Sequence, residues 1–181
     1  PAVAGQFYGG NKAECLAEIE ECLPAEPIGG DLPDPIVAAI VPHAGWVFSG
    51  SLAGAAFKAI RQTQENVDTF VIFGAAHRYF NGGAVVYDSG GWETPLGQAP
   101  VDAELAAEIV ALGAKADPQA HHGEHSIEVQ VPFIQHLFPE AKIVPVLVPV
   151  AGFDHSFGTQ VGELIHGKSD RRIVCLASTD L

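Results

Sequence analysis

Residues 36–60 read IVAAIVPHAGWVFSGSLAGAAFKAI. The apolar run IVAAIV carries no polar side chain, the pattern of a central strand covered on both faces, and it stops at Pro42. From Ser49 or Gly50 onward, Leu52, Ala55, Ala56, Ala59 and Ile60 recur at helical spacing, with small residues that allow close packing. The same alternation extends outward from this stretch. Upstream, Asn11 suits an N-cap, and Cys15, Leu16, Ile19, Cys22 and Leu23 form the stripe of a short amphipathic helix, followed by the linker PAEPIGGDLPDP. Downstream, Thr69–Phe73 reads as a strand ending in GAAHRYF, and 101–112 and 126–138 read as helices. IVPVLVPV at 143–150 reads as a strand in which Pro145 argues against an interior ladder position. A weaker helix over 157–165 and a last strand over 172–177 complete the series, with GGAVVYD (82–88) as an additional strand or edge hairpin. Strands alternating with helices predict an α/β fold: a mostly parallel central sheet flanked by helices, in a single domain over 1–181.

Composition narrows the function classes. The 181 residues can bury about 70% of their extended surface, enough for a core without disulfides or metals. Lys+Arg number 9 against Asp+Glu 22, and the net charge of −13 argues against nucleic acid or an anionic membrane as partner. No apolar run approaches the ~20 residues that span a bilayer. Cys15, Cys22 and Cys175 are an odd number without a CxxC pair, and PAVAGQFY does not read as a secretory signal, so a reducing, cytoplasmic setting is expected. No nucleotide or flavin motif is present: the glycine-rich stretches match neither GxxxxGK[ST] nor GxGxxG.

In open α/β sheets ligands bind beyond the carboxyl ends of the strands, which singles out His43, His77, His155 and Asp180. His43 and His77, each with a nearby glycine, form the favoured pair for a transition metal, because imidazole suits zinc, copper and iron. The alternative for each ring is a hydrogen-bonded cap at a strand end. The stretch HHGEHSIE (121–128) concentrates titratable groups before a helix, and His125 is its candidate general base or supporting residue. His121 and His122 are expected at the surface, His136 as structural and His166 as a helix-end cation; Glu124 and Glu128 belong to the same titratable cluster, with favourable charges at a helix start as their alternative reading. Cys175 is expected as a buried, inert thiol. Trp46, Phe48, Tyr79, Phe80 and Trp92 are candidates for an aromatic wall near the two histidines.

PAVAGQFY, PHAGWVFSG, GAAHRYF, GEHSIEVQVPF, IVPVLV and ASTD occur in the order that resembles the Memo family, named for a mediator of cell motility. The resemblance runs from the first residue to the last. It implies a fold like that of class III extradiol dioxygenases and a metal site, for iron or copper with zinc as a further option, at the carboxyl edge of the sheet. His43 and His77 match the family's first two metal-binding histidines, and Ser178, Thr179 and Asp180 its SSD segment, with Asp180 orienting a ligand and His125 and Glu128 lining the pocket. The family's third histidine and a cysteine ligand follow that segment, so the chain is expected to be incomplete at its C-terminus. Family members of the AmmeMemoRadiSam system B type imply AMMECR-type and radical-SAM proteins as functional partners. The implied function is metal-dependent redox or dioxygenase-like activity on an unknown substrate. The alternative is a non-enzymatic metal-binding or peptide-binding interaction module.

Overall fold

A computed structural model describes residues 1–78, 82–151 and 154–180. Helix α1 spans Lys12–Cys22 and is capped by Asn11, whose side chain accepts from the Glu14 N–H at 3.0 Å. Strand β1 is Ala38–Pro42, helix α2 Trp46–Thr63 and strand β2 Thr69–Ala75. The short β3 (Val85–Val86) precedes a separate hairpin of β4 (Gly91–Thr94) and β5 (Gly97–Pro100). Helix α3 (Ala103–Ala111), strand β6 (Lys115–Ala116), helix α4 (Val131–Leu137), strand β7 (Lys142–Val148), helix α5 (Ser156–His166) and strand β8 (Ile173–Thr179) follow. No helix among these residues is long and apolar enough to cross a membrane.

The main sheet has the order β1-β8-β2-β7-β3-β6. Its first four strands are parallel, and β3 runs antiparallel to β7. The α/β fold with a mostly parallel sheet flanked by helices is therefore as the alternation predicts. The crossover through α2 travels from β1 past β8 to β2, whereas that through α5 travels back from β7 past β2 to β8. Right-handed crossovers in opposite directions place the two helices on opposite faces. Helices α1, α2 and α4 form one layer, in which Phe57 stacks on Phe133 at 5.3 Å and packs against Phe70 of β2. Helices α3 and α5 belong to the other, joined by Lys168 Nζ donating to Glu108 Oε1 at 2.8 Å.

Four local expectations change. Strand β1 is an edge strand, and Ile40 is 65% exposed, because an apolar run reports side-chain chemistry and not position in the strand order. Helix α2 begins at Trp46 rather than at Ser49 or Gly50, since the Trp46 N–H finds the Phe7 carbonyl at 2.7 Å and needs no side-chain cap. The expected helix over 126–138 is a 3₁₀ turn at Glu128–Gln130 followed by α4, which places Pro132 in the first α-helical turn, where its missing N–H is harmless. Pro145 does lie inside the sheet. Its carbonyl accepts from the Tyr87 N–H at 3.0 Å, so its backbone faces the two-residue β3 and the ladder to β2 loses no donor.

Candidate metal centre

The strand order brings His43 after β1, Asp180 after β8 and His77 after β2 to one carboxyl edge, with β8 between the two histidine-bearing strands. His155, beyond β7, is exposed and stands apart. A fourth residue enters from the loop before α4. Gly74 near the end of β2 admits that loop, because a Cβ there would meet Ile127 Cγ1 at 2.4 Å and Ser126 Oγ at 2.6 Å. His125 is thereby held against His77, with ring centroids 4.7 Å apart and nearly parallel planes. His43 packs edge-on to both, at 5.3 Å from His77 and 5.4 Å from His125. One nitrogen from each of the three rings lies within 4.8 Å of the others, so the cluster can hold a metal ion.

Glu124 organises this convergence and is only 2% exposed. Its Oε1 accepts from the His125 N–H at 2.8 Å, the Ser126 N–H at 2.9 Å and His77 Nδ1 at 2.9 Å, and its Oε2 from the His77 N–H at 2.9 Å. Burial by itself would raise the carboxyl, yet the Ser126 N–H and the His77 ring and N–H hold it below the usual glutamate range. An ionised carboxylate only accepts, so Nδ1 of His77 carries the proton and Nε2 keeps its lone pair.

A second network orients His43. The Ser178 hydroxyl donates its single proton to the Ser126 carbonyl at 2.6 Å and accepts from Gln130 Nε2 at 2.9 Å. It can therefore only accept from His43 Nδ1, 3.4 Å away, which leaves the lone pair on Nε2. That nitrogen is buried without a hydrogen-bond partner. Asp180 Oδ1 stands 3.2 Å from it, within ion-pair range but outside hydrogen-bond geometry. Two acceptor atoms thus face one another, an arrangement satisfied by a cation between them. Three imidazoles with a carboxylate at the rim are donors that suit iron, copper or zinc. Burial holds His43 and His125 below the ordinary histidine range, against the opposing pull of Asp180 on His43 and of Glu124 on His125, so both favour the neutral, ligating form.

The other candidates separate. His121 is 5% exposed, not at the surface: its Nδ1 lies 3.2 Å from the Asp117 carbonyl and its ring meets Tyr87 and Trp92 edge-on. Burial pushes its pKa down to about 4. His122 is exposed as expected. Trp92 packs with His121 and Tyr87, whereas Trp46 is a core residue whose indole N–H donates to the Val129 carbonyl at 3.0 Å. Phe48 is 84% exposed and walls nothing, Phe7 supplies an edge contact to His125 at 5.0 Å, and Tyr79 and Phe80 lie outside the described residues. Glu128 does open the 3₁₀ turn Glu128–Gln130, and it is also buried and accepts from the Ala2 and Val3 N–H groups and the Tyr8 hydroxyl, pinning the first residues of the chain. His136 pairs with Glu20 at 3.0 Å across α4 and α1, and His166 is exposed at the end of α5. Cys175 is partly buried, with its thiol pushed up to about 11 by burial. A cleft of about 730 Å³, lined in part by Tyr87, Trp92, His121, Glu124 and Glu128, shares Glu124 with the histidine cluster.

A family profile described as Memo-like protein matches residues 1–181. A MEMO1 family protein of Thermococcus onnurineus is 42% identical over 189 residues, covering 99% of this chain and 63% of the relative. One from Caldivirga maquilingensis is 38% identical over 192 residues, covering 100% and 67%, and one from Pyrococcus abyssi 42% over 190 residues, covering 99% and 63%. The chain thus spans about two thirds of the length of these relatives. With the profile matched from end to end and identity near 40% across the whole chain, the protein belongs to the Memo family.

Proposed function

We propose that His43, His77 and His125 hold a redox-active transition metal, iron or copper, and that the protein uses it in redox or dioxygenase-like chemistry on a small organic substrate. The observation that carries this reading is the buried, unpartnered Nε2 of His43 facing two further imidazoles. A metal bound there would supply Lewis acidity and electron transfer. The chain's own residues do the rest. Glu124 fixes the tautomer and direction of His77, while Ser178 and Gln130 do so for His43. His125, stacked on His77 and 3.5 Å from Glu124, completes the set of three rings and is held in place by that carboxylate. Asp180, 82% exposed, stands at the rim where a substrate would enter.

The test loads the protein with ferrous or cuprous ion without oxygen, measures stoichiometry, adds a catechol series and then admits oxygen. One ion per chain with turnover supports the proposal. Stoichiometric iron without turnover removes the dioxygenase arm and leaves the second reading, a non-enzymatic metal-binding or peptide-binding module. The observation favouring that reading is the adjoining cleft of about 730 Å³, whose aromatic wall could seat a side chain. Absence of any metal binding overturns both metal readings.

A further inference from the structure

The cleft of about 730 Å³ beside the histidine cluster has a chemistry of its own. One wall is aromatic: the rings of Tyr87, Trp92 and His121 meet edge-on, with centroids 5.5 to 5.9 Å apart. Edge-to-face contact is a preferred arrangement of such rings, so the wall is preorganised. The rest of the lining is negative. Glu93, Glu124 and Glu128 contribute three carboxylates, and no lysine or arginine among the described residues lines the cleft. Glu124 and Glu128 are buried with their oxygens engaged, whereas Glu93 is exposed and meets solvent. Arg78 borders the cleft at Gly123, where a Cβ would meet its Nη1 at 2.9 Å.

Two nitrogens of the aromatic wall, His121 Nε2 and Trp92 Nε1, are buried without a hydrogen-bond partner. Native structures leave few such atoms, and each calls for an explanation, a ligand among them. His121 Nδ1 lies 3.2 Å from the Asp117 carbonyl, so it carries the proton of the neutral ring, and the unmatched Nε2 is a lone pair. Around this ring acceptors outnumber donors: the Asp117 and Pro145 carbonyls and the Glu124 carboxylate all act on it. Ring faces, carboxylates and a surplus of acceptors attract the same partner, a cation that carries N–H groups on an apolar stem. We propose that this cleft binds an alkylammonium group, with its stem on the Tyr87–Trp92 wall and its charge beside Glu93 and the acceptors around His121. This inference extends the second reading of the cleft by naming what it seats, and it needs no metal. The Trp92 N–H adds a donor for a nearby ligand oxygen, which a lysine residue carries in its peptide carbonyl and a simple alkylamine lacks.

The test uses the purified protein with and without chelator treatment, so that its outcome is read separately from metal loading. Tryptophan fluorescence and heat of binding follow titrations with n-butylammonium, n-butanol, butyrate and a lysine capped as its N-acetyl methylamide. The ammonium is expected to saturate one site in the millimolar range, with n-butanol and butyrate at least about tenfold weaker. Trp92→Leu and Glu93→Gln are each expected to weaken it at least about fivefold, and Glu93→Gln, at an exposed position, to keep the melting temperature. Tighter binding of capped lysine than of n-butylammonium assigns the site to a lysine side chain of a polypeptide, and the reverse order to a free amine; both support an ammonium site. Absence of saturable binding, n-butanol or butyrate binding as tightly as the ammonium, or affinity unchanged in both variants overturns the proposal.

Discussion

Strand β2 carries a buried polar cluster at each end, and the two are built on opposite principles. At its start, Thr69 donates to Asp102 Oδ2 at 2.6 Å, the Leu105 N–H donates to Asp102 Oδ1 at 3.2 Å, and Arg171 donates to both Thr69 and Asp102. Each donor there meets an acceptor. Beyond its other end, three imidazoles converge, and His43 Nε2 is buried without a hydrogen-bond partner and faces a carboxylate oxygen. Burial alone therefore does not distinguish a structural cluster from a functional one. The balance of donors and acceptors does, because a closed network has nothing left to offer a ligand.

The sharpest attempt to break that comparison is His43→Ala with His77→Ala. Metal affinity is expected to fall by more than about 100-fold, beyond the range for loss of a mere supporting residue, with the melting temperature retained. Equilibrium dialysis with metal analysis reads the first and calorimetry the second; unchanged binding would show that these rings are not ligands. At the opposite end of β2, Asp102→Ala is expected to cost about 3–5 kcal/mol, since it strands the Arg171 guanidinium, and to leave metal affinity alone. Denaturant unfolding checks this, and a loss below 1 kcal/mol would contradict the closed-network description. Glu124→Gln should weaken metal binding by about 10–100-fold, because an amide orients the His77 tautomer less strictly than a carboxylate.

Acid provides the mildest contrast. Burial raises the Asp102 carboxyl, but hydrogen bonds from Thr69 and Arg171 win and hold it below the usual aspartate range. The folded pKa lies under the unfolded one, so this stabilisation is complete above about pH 4 and is lost as pH falls through the folded value. His121 also has a depressed pKa, about 4, and its contribution is lost earlier, as pH falls from the ordinary histidine value near 6.5. Stability of His121→Phe should therefore vary less between pH 6.5 and 4 than that of the parent, and Asp102→Asn should differ below pH 4. Unfolding midpoints across that range would reveal whether the two windows are distinct.

Much of the candidate metal site was legible locally. His43 and His77 directly follow apolar strands, and in a parallel sheet strand ends share an edge, so two short stretches sufficed to nominate them. Glu124 was not legible as the residue that organises the site, because its partner His77 lies 47 positions away and its buried state depends on the Gly74 contact with Ile127. The tight sequence Glu124-His125-Ser126, with one carboxylate oxygen accepting from the next two N–H groups, is the local signal that could have found it. His121 was misjudged for a similar reason: two adjacent histidines look alike in a polar stretch, and only Tyr87 and Trp92 select which one is buried.

Beyond the family resemblance that its ordered motifs carry, the amino-acid sequence by itself determined the alternation of strands and helices, the acidic composition and the two histidines at strand ends. These rest on side-chain chemistry and periodicity, which act over one turn or one strand. Tertiary structure alone decided that β1 lies at an edge, that Pro145 can sit within the sheet, and that His125 joins the other imidazoles. Each of these depends on which strands become neighbours and which loop the glycine at 74 admits. Such pairings join residues far apart in the chain, and the hydrophobic pattern of any one segment is compatible with several of them.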